Sequence, residues 1–240
     1  MALARSEGWR PRTPGVTLAR LVQTLSRMAV LLDLDGTLID TVPFILDSVR
    51  HAFEGRARRP SDAEWIAGIG TPLRAQLAEW TGGPDDLEAV VARYRAYQRE
   101  HHDRMTRAYG GAVTVVSALR DRGHPIGIVT GKLAQPAARS LAFVGLAPLV
   151  DTIVGADTCA RHKPDPDPVL LALERLERTP RDAVFVGDSP VDVLAGRAAG
   201  VVTVAALWGA CTREALVAAA PDHLLEGIDA LLPLVEQLSP

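Results

Sequence analysis

Short apolar runs alternate with amphipathic stretches along most of the chain. Apolar runs that stop at Gly or polar residues are typical of buried strands, whereas apolar positions that recur every three or four residues predict helices. The predicted strands lie at residues 30–32, 125–129, 152–154, 183–186 and 201–205. Strands that alternate with helices in this way predict an α/β fold with a Rossmann-like, doubly wound parallel sheet.

Residues 44–108 lack these strand signals. Apolar residues there recur at helical spacing, and Gly68–Pro72 interrupts the pattern near its middle. We therefore expect an all-α domain inserted into an α/β core that consists of residues 28–43 and 109–240. Residues 1–27, which contain five Arg and one Glu, are expected to form a flexible N-terminal extension.

Polar residues follow four of the predicted strands. They are Asp33 and Asp35 after the first strand, Thr130 and Gly131 after the second, Lys163 beyond the third, and Asp188 and Asp192 after the fourth. Ligands of doubly wound sheets bind beyond the carboxyl ends of the strands. We therefore expect these residues to gather in one site.

The residue types in this group indicate metal and phosphate chemistry. Asp33 and Asp35 are spaced i, i+2, so both side chains of an extended segment point the same way, and two close carboxylates repel unless a cation or a proton separates them. Several carboxylates without His or Cys favour Mg²⁺, and a hydroxyl, a lysine and helix amides beside it would bind phosphate. The alternatives are a polar turn after the first strand and a helix cap at Asp188.

Composition narrows the classes of protein that need to be considered. The chain has 240 residues, 48% hydrophobic and 23% charged, with a net charge of −3. These values favour neither a nucleic-acid nor a membrane partner, and no apolar run is long enough to span a bilayer. The two cysteines, Cys159 and Cys211, are expected to be free thiols, and we expect a cytoplasmic protein.

Four motifs together resemble the haloacid dehalogenase superfamily of phosphohydrolases. D-x-D-G-T-L matches residues 33–38, a strand ending in Thr matches Thr130, K-P-x-P matches residues 163–166, and G-D-S-x-x-D matches residues 187–192. The match covers roughly residues 29–210, and the order of all four motifs is much more specific than any one of them. The helical insert resembles the cap of the C1 type, and the chain is most similar to phosphoglycolate phosphatase-like members and their pyrophosphatase relatives.

The resemblance implies a catalytic mechanism for the carboxylates. Asp33 would be the nucleophile that forms an aspartyl-phosphate, and Asp35 would be the general acid and base. Mg²⁺ would be held by Asp33, by the backbone carbonyl of Asp35 and by Asp188. Because dehalogenating members lack the second Asp of the first motif, Asp35 argues for phosphoryl transfer.

The resemblance also implies how the phosphoryl group is held. Thr130, the amide near Gly131 and Lys163 would bind it, and Asp192 would support either the metal shell or Lys163. Lys132, the only other lysine of the chain, is expected to be peripheral.

The helical insert is expected to determine the substrate. Gly68–Pro72 resembles the specificity loop of the family's caps, and Arg74 after it would bind a carboxylate or a second phosphate, or would be a solvated helix residue. His101 and His102 are expected on a solvated helix face. Four aromatic residues of the insert are expected in its core: Trp65, Trp80, Tyr94 and Tyr97.

Three functions fit these observations. The first is a Mg²⁺-dependent phosphatase for a small-molecule phosphorylated substrate such as 2-phosphoglycolate. The second is an inorganic pyrophosphatase or a β-phosphoglucomutase-like transferase with the same machinery. The third is a catalytically inactive binding module, which the presence of Asp33, Asp35 and Asp188 disfavours. The sequence leaves open whether the protein is a monomer or a homodimer.

Overall fold

A six-stranded parallel sheet forms the centre of the protein in the computed structural model, which describes residues 27–239. The prediction for residues 1–27 therefore lies outside the described residues, apart from Arg27. The strands are β1 (Ala29–Leu32), β2 (Ile126–Val129), β3 (Thr152–Val154), β4 (Ala183–Gly187), β5 (Val202–Ala206) and β6 (His223–Leu225). Their order in the sheet is β3-β2-β1-β4-β5-β6, and every neighbouring pair is parallel. This confirms the predicted fold class.

Strand β1 is buried on both faces. Val30 and Leu32 contribute to the apolar cluster on one side of the sheet, and Ala29 and Leu31 contribute to the cluster on the other side. This alternation follows from the two-residue period of a strand. A parallel strand that is covered on both faces has a continuous apolar sequence. The fully apolar sequence of β1 therefore reflects its central position.

Helices cover both faces of the sheet. The first face packs against α5 (Ala112–Asp121), α6 (Ala134–Phe143) and α10 (Leu231–Leu238). The second face packs against α7 (Asp167–Arg175) and α8 (Pro190–Ala199), and α9 (Arg213–Ala218) lies beside α8. Among the described residues, no helix has both the length and the apolar character needed to cross a membrane.

Residues 42–105, here called the helical segment, contain the other four α-helices found among the described residues. They are α1 (Val42–Ala52), α2 (Asp62–Ala67), α3 (Leu73–Ala78) and α4 (Pro84–Met105). These helices form their own apolar cluster, to which Trp65, Trp80 and Tyr94 contribute as expected. Tyr97 instead contacts the rings of His51 and His101, with the His101 ring nearly perpendicular to its own.

Two local features differ from the sequence-based expectations. Strand β6 was not predicted, because it has only three residues at the sheet edge and only partial burial. His102 is buried rather than solvated: its Nε2 atom lies 3.0 Å from Ser140 Oγ on α6. The prediction for His102 was wrong because the partner that covers this face of α4 is distant in sequence.

The strand order places one crevice at the centre of the sheet. Chain connections run outward in opposite directions from β1 and β4, which are neighbours in the sheet. In doubly wound folds the ligand binds beyond the carboxyl ends of the strands at such a reversal. Asp33 follows β1 and Asp188 follows β4, so both lie at this crevice.

Candidate active site

Asp33 is held at the end of β1 with its side chain buried. Its backbone N–H donates to the carbonyl of Val186 at 2.9 Å, which continues the pairing of β1 with β4 by one residue. Its Oδ1 atom accepts a 2.8 Å hydrogen bond from Lys163 Nζ. The only charged partner of Asp33 among the described residues is therefore a buried lysine.

Lys163 joins two carboxylates. Its Nζ atom also donates to Asp192 Oδ1 at 2.5 Å and lies 5.9 Å from the centre of the Phe185 ring. Burial by itself would lower the pKa of Lys163, but Asp192 and Asp33 outweigh that effect and raise the pKa above its usual value. Lys163 is therefore charged at any physiological pH.

Asp188 is fixed by bonds to both of its oxygens. Thr37 Oγ1 donates to Oδ1 at 3.0 Å, and the backbone N–H of Ala210 donates to Oδ2 at 2.8 Å. Gly36 and Gly209 make room for this carboxylate, since a Cβ atom on either would lie 2.2 Å from an Asp188 atom. The glycine of the first motif is therefore required by close packing as well as by its φ of +90°.

Three buried carboxylates converge closely enough to share a cation. One oxygen each of Asp33, Asp188 and Asp192 lies within 4.8 Å of the others. Oxygen donors of this kind suit a hard cation such as Mg²⁺. The backbone carbonyl of Asp35 accepts no backbone hydrogen bond from the described residues, so it is available as a further ligand. The residues present thus fit the expected metal.

Without a cation, the burial of these carboxylates is poorly compensated. Burial raises the pKa of Asp33 well above its usual value, although Lys163 opposes the shift. Burial and the nearby Asp192 raise the pKa of Asp188 to about 7. An acidic group with a raised pKa in the folded state keeps a proton that the unfolded chain releases.

We expect the metal-free protein to lose stability as the pH rises. Between pH 4 and about 7 the folded state binds more protons at Asp188 than the unfolded state does, so the free energy of unfolding falls, on the order of a few kcal/mol. Urea denaturation in EDTA at pH 5 and pH 8 measures this difference. Added Mg²⁺ should stabilise the protein more at pH 8, where it does not compete with protons.

The Asp188→Asn variant is the control for this prediction. Because Asn does not titrate, the pH dependence in EDTA should be weaker than in the parent protein. Stability that rises between pH 5 and pH 8, or an unchanged slope in the variant, would contradict the prediction.

The carboxylate of Asp35 lies in a different environment from that of Asp33. Its Oδ1 atom accepts hydrogen bonds from Thr41 Oγ1 at 2.5 Å and from Lys132 Nζ at 2.7 Å. Its Oδ2 atom accepts none from the described residues. The expectation that Lys132 is peripheral was wrong, since its flexible side chain reaches from the end of β2 to the loop after β1.

Thr130 and Gly131 lie beneath the interrupted part of the helical segment. Thr130 Oγ1 accepts a 3.2 Å hydrogen bond from the backbone N–H of Lys132, which leaves its hydroxyl proton free to donate. A Cβ atom on Gly131 would lie 2.8 Å from the carbonyl oxygen of Gly70, and one on Gly70 would lie 2.7 Å from Ser189 Oγ. The loop at Gly68–Pro72 is therefore packed directly over the site.

Arg74 is not joined to this cluster. Its guanidinium pairs with the carboxylate of Glu88, and both side chains are about half exposed. Its expected contact with a substrate thus stays a prediction. Asp192, in contrast, lies against Lys163 and also accepts from the backbone N–H of Ser189 at 3.1 Å.

Several residues that support the site were not singled out from the sequence. Thr37 and Thr41 bind the carboxylates of Asp188 and Asp35, and Trp208 Nε1 donates to the carbonyl of Thr37 at 2.9 Å. Thr37 belongs to the first motif, residues 33–38, although no role was assigned to it, and Lys132 stood out because lysine is otherwise almost absent from this Arg-rich chain. Threonines are too common in turns to be recognised in this way.

Comparison with known proteins agrees with the motifs. The model of the haloacid dehalogenase-like hydrolase family matches residues 30–206. Pyrophosphatase PpaX of Bacillus pumilus is 36% identical over 207 residues, which are 86% of this chain and 95% of that protein.

Solved structures give the same result. A haloacid dehalogenase-like family hydrolase from Streptococcus pneumoniae has a TM-score of 0.76 at 26% identity, covering 87% of this chain and 98% of that one. A predicted phosphoglycolate phosphatase from Haemophilus somnus has a TM-score of 0.78 at 21% identity, with the same coverage. The chain therefore belongs to the haloacid dehalogenase-like hydrolase family.

Proposed function

We propose that this protein is a Mg²⁺-dependent phosphohydrolase that acts through an aspartyl-phosphate on Asp33, with pyrophosphate as its preferred substrate. The observation that carries this proposal is the buried Asp33 carboxylate between Lys163 and the Asp188 carboxylate. A nucleophilic carboxylate needs positive charge beside it to approach a phosphate anion. Among the described residues, Lys163 supplies part of that charge.

The remaining positive charge would come from the metal. Asp33, Asp188 and the backbone carbonyl of Asp35 would hold Mg²⁺, and the bound ion would neutralise the phosphoryl oxygens. The position of Asp33 and Asp188 in the group of buried carboxylates whose oxygens lie within 4.8 Å of one another supports their part in this assignment.

Asp35 is the group best suited to exchange protons with the leaving oxygen. Its Oδ1 atom is fixed by Thr41 and Lys132, whereas Oδ2 is free of hydrogen bonds from the described residues. Asp35 would protonate the leaving oxygen and then accept a proton from the hydrolytic water. Thr130 and the amide of Gly131 would bind the phosphoryl oxygens together with Lys163.

Two observations favour pyrophosphate over a larger phosphomonoester. Relatives with 31–36% identity are named pyrophosphatases. The Gly68–Pro72 loop approaches Gly131 so closely that a single Cβ atom would not fit between them, and such a covered site favours a small substrate. This order differs from the expectation from motifs alone, in which 2-phosphoglycolate came first.

A substrate panel tests the proposal. Phosphate release should be fastest with pyrophosphate, slower with 2-phosphoglycolate and slowest with hexose phosphates, at roughly 1–10³ s⁻¹ for the best substrate. EDTA should lower every rate by a factor of about 100 or more, and added Mg²⁺ should restore it. Folded protein that hydrolyses none of these compounds, or hydrolyses them equally well in EDTA, would contradict the proposal.

A further inference from the structure

The two lysines of the chain contact different carboxylates of the site. Lys163 is buried between Asp33 and Asp192, on the side where the phosphoryl group would be transferred. Lys132 contacts Asp35, on the side where the leaving oxygen would be protonated. The choice of lysine at position 132 calls for a chemical explanation, because almost every other basic residue of the chain is Arg and a compact ammonium ion differs from a guanidinium group.

The backbone of Lys132 is fixed from both sides. Its N–H donates to Thr130 Oγ1 at 3.2 Å, and its carbonyl accepts from the N–H of Ala156 at 2.9 Å. A Cβ atom on Gly155 would lie 2.8 Å from that carbonyl oxygen. The side chain alone can therefore move, and it remains 17% exposed beside the 13% exposed side chain of Asp35.

The position of the Lys132 ammonium determines what it would meet in a complex. A leaving oxygen that exchanges a proton with the free Oδ2 of Asp35 would lie about 2.7 Å from that atom. Lys132 Nζ is bound to Oδ1 of the same carboxyl group. Substituents on the leaving oxygen would therefore come within reach of the ammonium.

We propose that Lys132 binds the leaving group of the substrate through a negative charge that the leaving group carries in addition to its bridging oxygen. The substrate class is thus a phosphoryl compound with an anionic leaving group: the departing phosphate of pyrophosphate, or the carboxylate of an acyclic phosphorylated acid. This inference rests on the proposed function and adds the residue that selects the leaving group.

The reaction step balances with this assignment. A carboxylate oxygen of Asp33 forms a bond to phosphorus as the bond to the bridging oxygen breaks. The electron pair of the broken bond goes to the bridging oxygen, which takes the proton from Asp35. Lys132 keeps its proton throughout and balances the charge of the departing anion.

The other candidate for this role is less suitable. Arg74 follows the loop over the site, but its guanidinium already pairs with Glu88, and the side chain is 48% exposed. An exposed cation that is already paired gives little selectivity. Lys132, in contrast, would exchange its bond to Asp35 for a bond to the incoming anion within a largely covered site.

Two substrates with leaving groups of different charge test the inference. Pyrophosphate releases an anion and β-glycerol phosphate releases a neutral alcohol, and both leaving oxygens need a proton. In Lys132→Met we expect kcat/KM to fall roughly 10- to 100-fold for pyrophosphate, mainly through KM. For β-glycerol phosphate we expect a loss that is several-fold smaller, because it includes only the removal of one of the two hydrogen bonds to Asp35 Oδ1, an effect common to both substrates. Lys132→Arg keeps the positive charge but not the compact ammonium ion, so it should retain only part of the preference for pyrophosphate.

A binding measurement gives the same comparison without turnover. Calorimetry with Mg²⁺ should show that Lys132→Met weakens the binding of methylenediphosphonate roughly 10-fold or more. The affinity for methylphosphonate should be nearly unchanged. Arg120→Met is the matched control for loss of a cation, because Arg120 pairs with Asp151 just before β3, at the amino ends of the strands, whereas the site lies beyond their carboxyl ends.

The outcomes separate the inference from the proposed function. Equal losses for both substrates, seen in kcat, would mean that Lys132 only positions Asp35 and would overturn the inference. Equal effects on the two phosphonates would do the same. Failure of the unaltered protein to hydrolyse either substrate would instead contradict the proposed function, and the phosphonate comparison would still test Lys132.

Discussion

Asp33→Asn should lower Mg²⁺-dependent phosphate release by a factor of about 10⁴ or more. The amide is nearly isosteric with the carboxylate and can still accept the hydrogen bond from Lys163 through its oxygen. It has no anionic oxygen to attack phosphorus, so no covalent intermediate forms. Steady-state phosphate release with pyrophosphate measures the loss.

Two controls define what this result means. Asp40→Asn changes an exposed residue of the same type on the same segment and should leave the rate almost unchanged. A urea denaturation curve for Asp33→Asn should show a folded protein, since one buried negative charge is removed without loss of volume. A folded variant that keeps more than about 1% of the activity would show that another group is the nucleophile.

The position of the site was predictable because it depends on where strands end. Asp33, Thr130 and Asp188 follow three strands that the apolar runs identify clearly. A parallel sheet brings the carboxyl ends of its strands together, so local pattern was enough to predict that these residues lie at the same end of the sheet. Burial of Asp33 and Asp188 follows from the same placement.

The contacts between distant side chains were not predictable in the same way. Lys132 reaches Asp35, and His102 reaches Ser140, across gaps of 97 and 38 residues. Helical geometry separates the directions of His101 and His102 by about 100°, but it does not show which of them meets α6. Such contacts depend on how helices and loops pack, which no local pattern records.

The close approach of the Gly68–Pro72 loop to the site also needed the structure. The sequence indicates a break in the helical segment and a resemblance to a specificity loop, but it gives no distance. The missing Cβ atoms of Gly70 and Gly131 make the approach possible. Their role becomes visible only when the carbonyl of Gly70 is seen to lie against Gly131, and Gly70 itself against Ser189.

Lys163→Met should lower the free energy of unfolding by about 3–5 kcal/mol at pH 8 in EDTA. Lys163 is 4% exposed and bonds to two buried carboxylates, Asp33 and Asp192. Methionine fills a similar volume but leaves those carboxylates without a counter-charge, which costs more than the packing gains. Urea denaturation measures the loss, and activity should also disappear.

The pH dependence of this loss distinguishes charge from packing. Lys163 is the largest influence that lowers the pKa of Asp33 against the effect of burial, so its removal raises that pKa further. The folded variant then binds more protons than the unfolded chain over a wider range, and its stability falls more steeply as pH rises. The deficit relative to the parent protein should therefore be smaller at pH 5 than at pH 8.

A second substitution and a surface control complete the test. Adding Asp192→Asn to Lys163→Met removes one uncompensated carboxylate and should recover about 1–2 kcal/mol at pH 8. Arg161→Met removes an exposed charge from the loop that contains Lys163, where Arg161 pairs with Asp167 at the start of α7, and should leave stability nearly unchanged. If the deficit is the same at both pH values and the second substitution recovers nothing, Lys163 stabilises the fold by packing, and the charge balance argued for Asp33 is wrong.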